Sequence, residues 1–153
     1  EFRITAHDMG GPVANHKSFL LEEERTLISG KLISEDLSIP LISEDSDLIQ
    51  YHASFQKIMK MRLKRFAPAF GHVIEDPKGA VASTIENFNK VDEEILKAIK
   101  KGATSPEEVV TANHSKVSDP EQAAEIAKSI EVHLTKLAND KSVKQLKSGW
   151  KIR

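Results

Sequence analysis

The sequence contains no cysteine, and this absence removes several kinds of chemistry at once. Disulfides, zinc–thiolate sites and cysteine nucleophiles are all excluded. No apolar run approaches the roughly 20 residues that a membrane helix requires, so we expect no contact with a membrane. No signal-peptide pattern opens the chain, and the lack of cysteine suits a reducing compartment, so we expect an intracellular protein of the cytoplasm or the mitochondrial matrix.

The sequence also lacks an excess of charge of either sign. The 153 residues include 22 basic and 23 acidic side chains, for a net charge of −1. The overall balance therefore indicates neither a nucleic-acid-binding nor an acidic class of protein. The hydrophobic fraction of 39% is sufficient for a packed core, and the length fits one domain or two small ones.

The first sixty residues predict three short strands and then a helix. We expect strands at residues 2–6, 17–21 and 25–29, separated by a glycine- and proline-containing turn and by an acidic turn. A loop is expected at 31–46, in which the sequence LISED occurs twice. Its acidic residues are interpreted as a solvated loop rather than a cation site. A helix is predicted at 47–60 because apolar residues recur on one face of it.

The rest of the sequence predicts a buried strand entering a turn at residues 66–73, three helices and a terminal ribbon. Each helix is announced by a capping side chain followed by proline, at Asp76-Pro77, Ser105-Pro106 and Asp119-Pro120. Two strands around Ser148-Gly149 form the ribbon. The fold class is therefore α+β. We expect two domains, 1–102 and 103–153, the second with the helix–helix–ribbon order of a winged-helix-like module.

Four stretches occur in an order and at a nearly gapless spacing that are typical of one family. They are FLLEEERTLISG at 19–30, DLIQYHASF at 47–55, PAFGHVI at 68–74 and VHLTKL at 132–137. Together they resemble the C-terminal half of the metallo-β-lactamase superfamily, in its branch of lactamase-beta-like hydrolases and endoribonucleases. The resemblance covers nearly the whole chain. It implies half of an αββα sandwich followed by a winged-helix-like C-terminal module.

The chain departs from this family where the family binds its metal ions. The H-x-H-x-D-H motif of the other half does not occur, and no two of the six histidines lie two residues apart. Alignment on the family's motifs places its ligand histidines at Pro12 and Phe70 and its metal-bridging aspartate at Lys31. Zinc takes imidazole, thiolate or carboxylate donors, and none of these three side chains supplies one. We therefore expect neither catalytic residues nor a cofactor.

An alternative interpretation is that the chain belongs to a metal-dependent hydrolase. If the alignment is shifted by two residues in the turn, His72 becomes a fallback ligand at the family's last ligand position. The other ligands of a zinc site would then come from an N-terminal half or a partner chain. Metal-activated water would be the nucleophile of a hydrolase of the endoribonuclease or thioesterase type. Whether the chain is an enzyme is left open by its residues, and the replaced positions favour a pseudoenzyme.

The C-terminal 26 residues are strongly basic, with seven lysines and arginines against two acidic residues. The residues that we predict to bind a nucleic acid or another partner are Lys141, Lys144, Lys147, Trp150, Lys151 and Arg153. A solvated lysine-rich end is the simpler interpretation. The function expected is a non-catalytic structural or binding subunit of a larger assembly, such as a ribonucleoprotein. Its partners would be a protein or a second copy covering the open sheet, and RNA at the basic tail.

Overall fold

The computed structural model describes residues 1–34 and 42–153, which form an α+β chain. In chain order the elements are β1 (Ile4–Asp8), β2 (Lys17–Leu21), β3 (Thr26–Gly30), α1 (Leu48–Lys60), β4 (Arg65–Pro68), α2 (Pro77–Lys100), α3 (Pro106–Asn113), α4 (Pro120–Asn139), β5 (Val143–Leu146) and β6 (Gly149–Ile152). The described residues divide into two compact units. The first lies within Glu1–Pro40 and Asp45–Asn87, and the second within Leu41–Glu44 and Phe88–Arg153. The domain boundary expected after residue 102 stays a prediction.

The first unit is built on a four-stranded sheet in the order β1-β2-β3-β4. The first three strands are antiparallel neighbours, and β4 pairs with β3 in parallel. A parallel neighbour requires a crossover connection, and the segment that contains α1 supplies it. Since β1 and β3 both run opposite to β2, the carboxyl ends of β1, β3 and β4 lie at the same edge of the sheet.

The two faces of this sheet differ sharply in exposure. Leu27 and Phe66 are fully buried on one face, beside Ser18 and Ser29. On the other face, Ala6, Phe19, Ile28 and Ala67 stand in one row across the four strands. Within that row, Phe19 is 42% and Ile28 is 44% exposed. We call the side that carries this row, together with Ile4, the open sheet face.

Helix α1 begins where the sequence predicts. The Asp47 carboxylate accepts hydrogen bonds from the backbone N–H groups of Ile49 and Gln50, which the first turn of the helix leaves without partners. Its apolar stripe is buried, and this stripe consists of Leu48, Tyr51, Phe55 and Ile58. Ser54 lies on the same face and donates to the Gly10 carbonyl at 2.6 Å, which ties the helix to the loop after β1.

The second unit contains the C-terminal part of α2, the helices α3 and α4, and the ribbon of β5 and β6. Proline follows the N-cap of α3 and of α4, as predicted. The Ser105 hydroxyl accepts from the backbone N–H of Glu108 at 3.3 Å, and the Glu108 carboxylate accepts from the backbone N–H of Thr104 at 2.6 Å, so the first turn of α3 is capped from both directions. Residues from all of these elements form its core, among them Ile95, Val110, Leu134, Val143 and Trp150.

The buried strand entering a turn that is predicted at 66–73 corresponds to β4, which ends at Pro68, and to the turn after it, in which Gly71 adopts a left-handed conformation with φ of 88°. One local prediction is wrong, because the first strand ends at Asp8 and not at residue 6. The LISED loop lies partly outside the described residues, which begin again at Ile42. None of the helices in the described ranges is long and apolar enough to cross a bilayer.

Candidate functional site

The three positions at which the family resemblance places metal ligands lie beyond neighbouring strand ends. Pro12 lies in the loop after β1, Lys31 directly follows β3, and Phe70 lies two residues beyond β4. The sheet topology brings these ends to one edge, which we call the ligand-loop edge. The backbone N–H of Ala69 donates to the Gly30 carbonyl at 2.9 Å and joins two of the loops directly.

His16 connects the loops that follow β1 and β3. Its Nδ1 lies 3.1 Å from the Met9 carbonyl oxygen, and its Nε2 lies 3.2 Å from the backbone nitrogen of Lys31. A carbonyl oxygen only accepts, so Nδ1 carries the proton and Nε2 accepts from the Lys31 N–H. Both ring nitrogens are therefore used by the backbone, and neither has a lone pair left for a metal ion.

The electrostatics of His16 agree with this neutral tautomer. Partial burial lowers the pKa of His16 below its usual 6.5, the hydrogen bond to Met9 opposes this, and the nearby charge of Lys31 lowers the pKa further. Gly30 has φ of 59°, and a Cβ atom there would lie 2.8 Å from the His16 Nε2. Glycine at position 30 thus allows the imidazole to approach the backbone.

The loop after β1 is fixed to α1 by further contacts. The backbone N–H of Asp47 donates to the Gly11 carbonyl at 2.8 Å, and the Ser46 hydroxyl donates to the Pro12 carbonyl at 3.1 Å. Gly11 has φ of 143°, and a Cβ atom there would lie 2.5 Å from the Tyr51 ring. These contacts hold Pro12 in a buried position.

The residues at the ligand-loop edge do not fit a zinc ion. Pro12 has no donor atom, Lys31 is exposed and cationic, and Phe70 is a hydrocarbon that is 68% exposed. His72 lies in the turn after β4 and takes part in an interaction of its own. Within residues 1–34 and 42–153, no three histidine or acidic side chains group together as a metal site. Zinc requires three or four converging donors.

The predicted basic binding residues surround the β5–β6 ribbon. Lys144 and Lys151 are directly opposite each other across the two strands. Lys141, Lys147 and Arg153 are exposed around them. Trp150 is only 6% exposed, because its ring packs in the core of the second unit. The five cations are thus accessible to a partner, and the indole instead holds the ribbon in place.

Sequence reasoning missed a buried polar network in the second unit. The Asp92 carboxylate lies 2.7 Å from His133 Nδ1 and 2.8 Å from Lys136 Nζ. Lys136 also contacts Asp140 at 2.8 Å, and the His133 ring meets Phe88 edge to face. A signal existed in the sequence: Asp92 lies directly after Val91 on the apolar face of α2, and His133 lies within the apolar stripe of α4. A buried charge on such a face requires a partner.

Comparisons with known proteins agree with this fold. No protein-family model matches the sequence. Over 90 residues the chain is 36% identical to a beta-lactamase-like protein 2 homolog from Caenorhabditis elegans, an alignment that covers 59% of this chain and 29% of that protein. A metallo-β-lactamase family protein from Thermus thermophilus superposes with a TM-score of 0.81 over 99% of this chain, and a beta-lactamase domain protein from Burkholderia ambifaria with 0.75 over 99%.

The two solved structures share 16% and 17% sequence identity with this chain, so they establish its fold. The chain spans 50% and 48% of their lengths and less than a third of the curated relative. The predicted resemblance is therefore supported, whereas the assignment to one branch or to one half stays a prediction. The chain has the metallo-β-lactamase fold and is similar in sequence to part of a beta-lactamase-like protein 2 homolog.

Proposed function

We propose that this chain is a non-catalytic metallo-β-lactamase-like protein that serves as a structural or binding subunit of a larger assembly. The observation that carries the proposal is the donor chemistry at the ligand-loop edge. Pro12, Lys31 and Phe70 offer no zinc donor, and His16 is occupied by the backbone on both ring nitrogens. A lysine next to the metal position would also repel a cation.

Metal analysis tests the loss of catalysis. The full chain is incubated with zinc, dialysed against buffer without chelator, and measured for zinc per chain beside the variant His72→Gln. We expect far less than one zinc per chain in both proteins. Stoichiometric zinc that the wild type retains and His72→Gln loses would overturn the proposal.

That same outcome would favour the alternative function, a metal-dependent hydrolase of the endoribonuclease or thioesterase type. Its remaining ligands would come from an N-terminal half or from a partner chain. The observation in its favour is that His72 follows β4, whose carboxyl end lies at the ligand-loop edge. In that case metal-activated water would attack the substrate. Zinc retained equally by the wild type and His72→Gln would contradict both functions at this edge.

The open sheet face supports a binding role. Ile4 is 61% exposed, and the row through Phe19 and Ile28 adds a continuous apolar strip beside it. Contiguous apolar surface of this kind marks protein interfaces. Each solved relative contains a further stretch about as long as this chain. We therefore assign the open sheet face to a polypeptide partner with an apolar surface.

Light scattering at tens of micromolar tests this assignment. We expect the wild type to self-associate or to require a partner, whereas Phe19→Lys is monodisperse because a charge on the open sheet face opposes apolar contact. Phe2→Lys is the matched control, since Phe2 is 75% exposed and precedes β1. A monodisperse wild-type monomer would contradict the assignment.

The second unit is proposed to act as a winged-helix-like module. In support, α3 and α4 pack against each other and β5 follows α4 closely. The order of helix, helix and ribbon is the one that the sequence predicts for residues 103–153. The module would place the basic ribbon at the surface of the assembly.

A further inference from the structure

We infer that the outer face of the β5–β6 ribbon binds the phosphate backbone of a nucleic acid. This inference names a partner for the proposed binding subunit. It depends on the charge of the ribbon and not on the ligand-loop edge, so RNA binding and zinc retention can fail independently.

The ribbon carries a concentrated charge of one sign. Residues 141–153 contain four lysines and one arginine and no acidic residue. Lys144 and Lys151 are direct cross-strand partners, so their side chains project from the same face. Arg153 follows on that face, two residues beyond Lys151. Like charges placed opposite each other destabilise a strand pair, so this arrangement opposes folding.

Nothing nearby neutralises these charges. Among the described residues, the five cations form no ion pair with a carboxylate. Asp140, the adjacent acid in the sequence, is engaged by Lys136 at 2.8 Å. The repulsion between the ribbon's lysine and arginine side chains would therefore be reduced by a bound anion.

The backbone from which these cations project is held in place by packing and hydrogen bonds. Its opposite face carries Val143, which is fully buried, and Trp150. The Trp150 backbone N–H donates to the Thr104 carbonyl at 2.8 Å, and that of Ser142 donates to Leu137 at 2.9 Å. A Cβ atom at Gly149 would lie 2.4 Å from the Thr104 oxygen, so the turn also packs closely. Cations on a packed ribbon lose less backbone entropy on binding than cations on a flexible tail would.

The composition of this face favours nucleic acid over an acidic protein. Protein interfaces are centred on apolar and aromatic anchors and are depleted of lysine. Here the exposed apolar side chain is Leu146, at 42% exposure, and the aromatic ring is turned inward. Phosphate oxygens are contacted mainly by lysine and arginine. With no exposed ring to stack on a base, the binding should be independent of sequence and strongly dependent on salt.

Fluorescence anisotropy with a labelled single-stranded RNA of mixed sequence tests the inference. The double variant Lys144→Gln/Lys151→Gln is compared with the control Lys78→Gln/Lys116→Gln, which removes two exposed lysines elsewhere. Each phosphate contact to a single strand contributes about 0.7 to the salt slope, so losing two contacts weakens binding about 60-fold at 50 mM salt. The control should keep wild-type affinity. Emission from Trp150, the only tryptophan, verifies that the ribbon stays packed.

A second variant separates function from folding. Lys144→Glu replaces the like-charge contact with a cross-strand ion pair to Lys151. We expect a higher Tm together with lost RNA binding, an opposition that a purely structural ribbon would not show. Three results would overturn the inference: no RNA binding at 50 mM salt, equal weakening by the control, or binding of polyglutamate but not of RNA. A lower Tm for Lys144→Glu would remove the electrostatic argument.

Discussion

Replacing Asp92 with asparagine should destabilise the second unit by about 2 to 3 kcal/mol at neutral pH. The Asp92 carboxylate is 8% exposed and receives two short contacts, from His133 at 2.7 Å and from Lys136 at 2.8 Å. Removing one partner from a buried ion pair costs roughly 3 to 5 kcal/mol, because the remaining charge is left without compensation. Lys136 keeps its contact with Asp140, and the amide can still accept from His133, so we expect a loss at or just below the lower limit of that range.

The assay is urea denaturation followed by the emission of Trp150, which reports on this unit alone. Asp140→Asn is the matched control: its side chain is 42% exposed, and an exposed pair contributes less than about 1 kcal/mol. With an m-value of about 1 to 3 kcal/mol per molar urea, the midpoint for Asp92→Asn should fall by roughly 1 M or more. A loss no larger than that of Asp140→Asn would refute the reasoning.

The pH dependence gives a second, independent readout. Burial raises the pKa of Asp92, but hydrogen bonds from His133 and Lys136 and their charges outweigh it and hold the pKa below 3.8. The folded pKa is thus lower than the unfolded one, so the carboxylate contributes its full stability above pH 3.8. That contribution disappears as the pH falls through the folded pKa. The stability curves of wild type and Asp92→Asn should therefore converge in acid. Divergence there would reverse the assigned sign.

Three further predictions concern other parts of the chain. Gly11→Ala should destabilise the first unit by roughly 2 kcal/mol or more, because φ of 143° is strained for alanine and the Tyr51 ring blocks its Cβ atom. The fluorescence of Tyr51, the only tyrosine, follows the unfolding of this unit. An unchanged unfolding midpoint would contradict the prediction. Ser105→Ala should cost about 1 kcal/mol by removing the N-cap of α3, measured through Trp150, with Ser115→Ala as an uncapped control. Dialysis against EDTA should leave the Tm of the Tyr51 transition unchanged, and a fall in that Tm would show that a metal ion stabilises the ligand-loop edge.

The helices could be predicted from the sequence because their signals are local. A capping side chain followed by proline at residues 105–106 and 119–120, and an apolar stripe that begins at Leu48, each specify a helix within its own segment. The parallel pairing of β3 with β4 is a contact between distant segments, and no residue in either strand predicts which strand it pairs with. The sequence also does not mark where the strand within residues 66–73 ends and the turn begins, because the exposed turn contains an apolar residue too, Phe70.

Some features of the candidate site could likewise be predicted from the sequence, and others could not. The family resemblance predicts the positions at which metal donors are replaced, and the topology brings those positions to one edge of the sheet. The bonds of His16 could not be predicted, because they join a ring to two backbone groups whose approach depends on the register of three strands. The network of Asp92 and His133 was missed because its members lie 41 residues apart on two helices.

Under the proposed non-catalytic function, the contacts of His16 account for how the fold would persist without metal donors. A bound metal ion contributes folding energy by holding together loops that would otherwise be free. Here the same loops are held by backbone groups: His16 spans Met9 and Lys31, Ala69 donates to Gly30, and Asp47 donates to Gly11. These hydrogen bonds involve main-chain atoms or the imidazole and none of the replaced side chains. Substitutions at Pro12, Lys31 and Phe70 would therefore remove chemistry while leaving the interactions that position the loops intact.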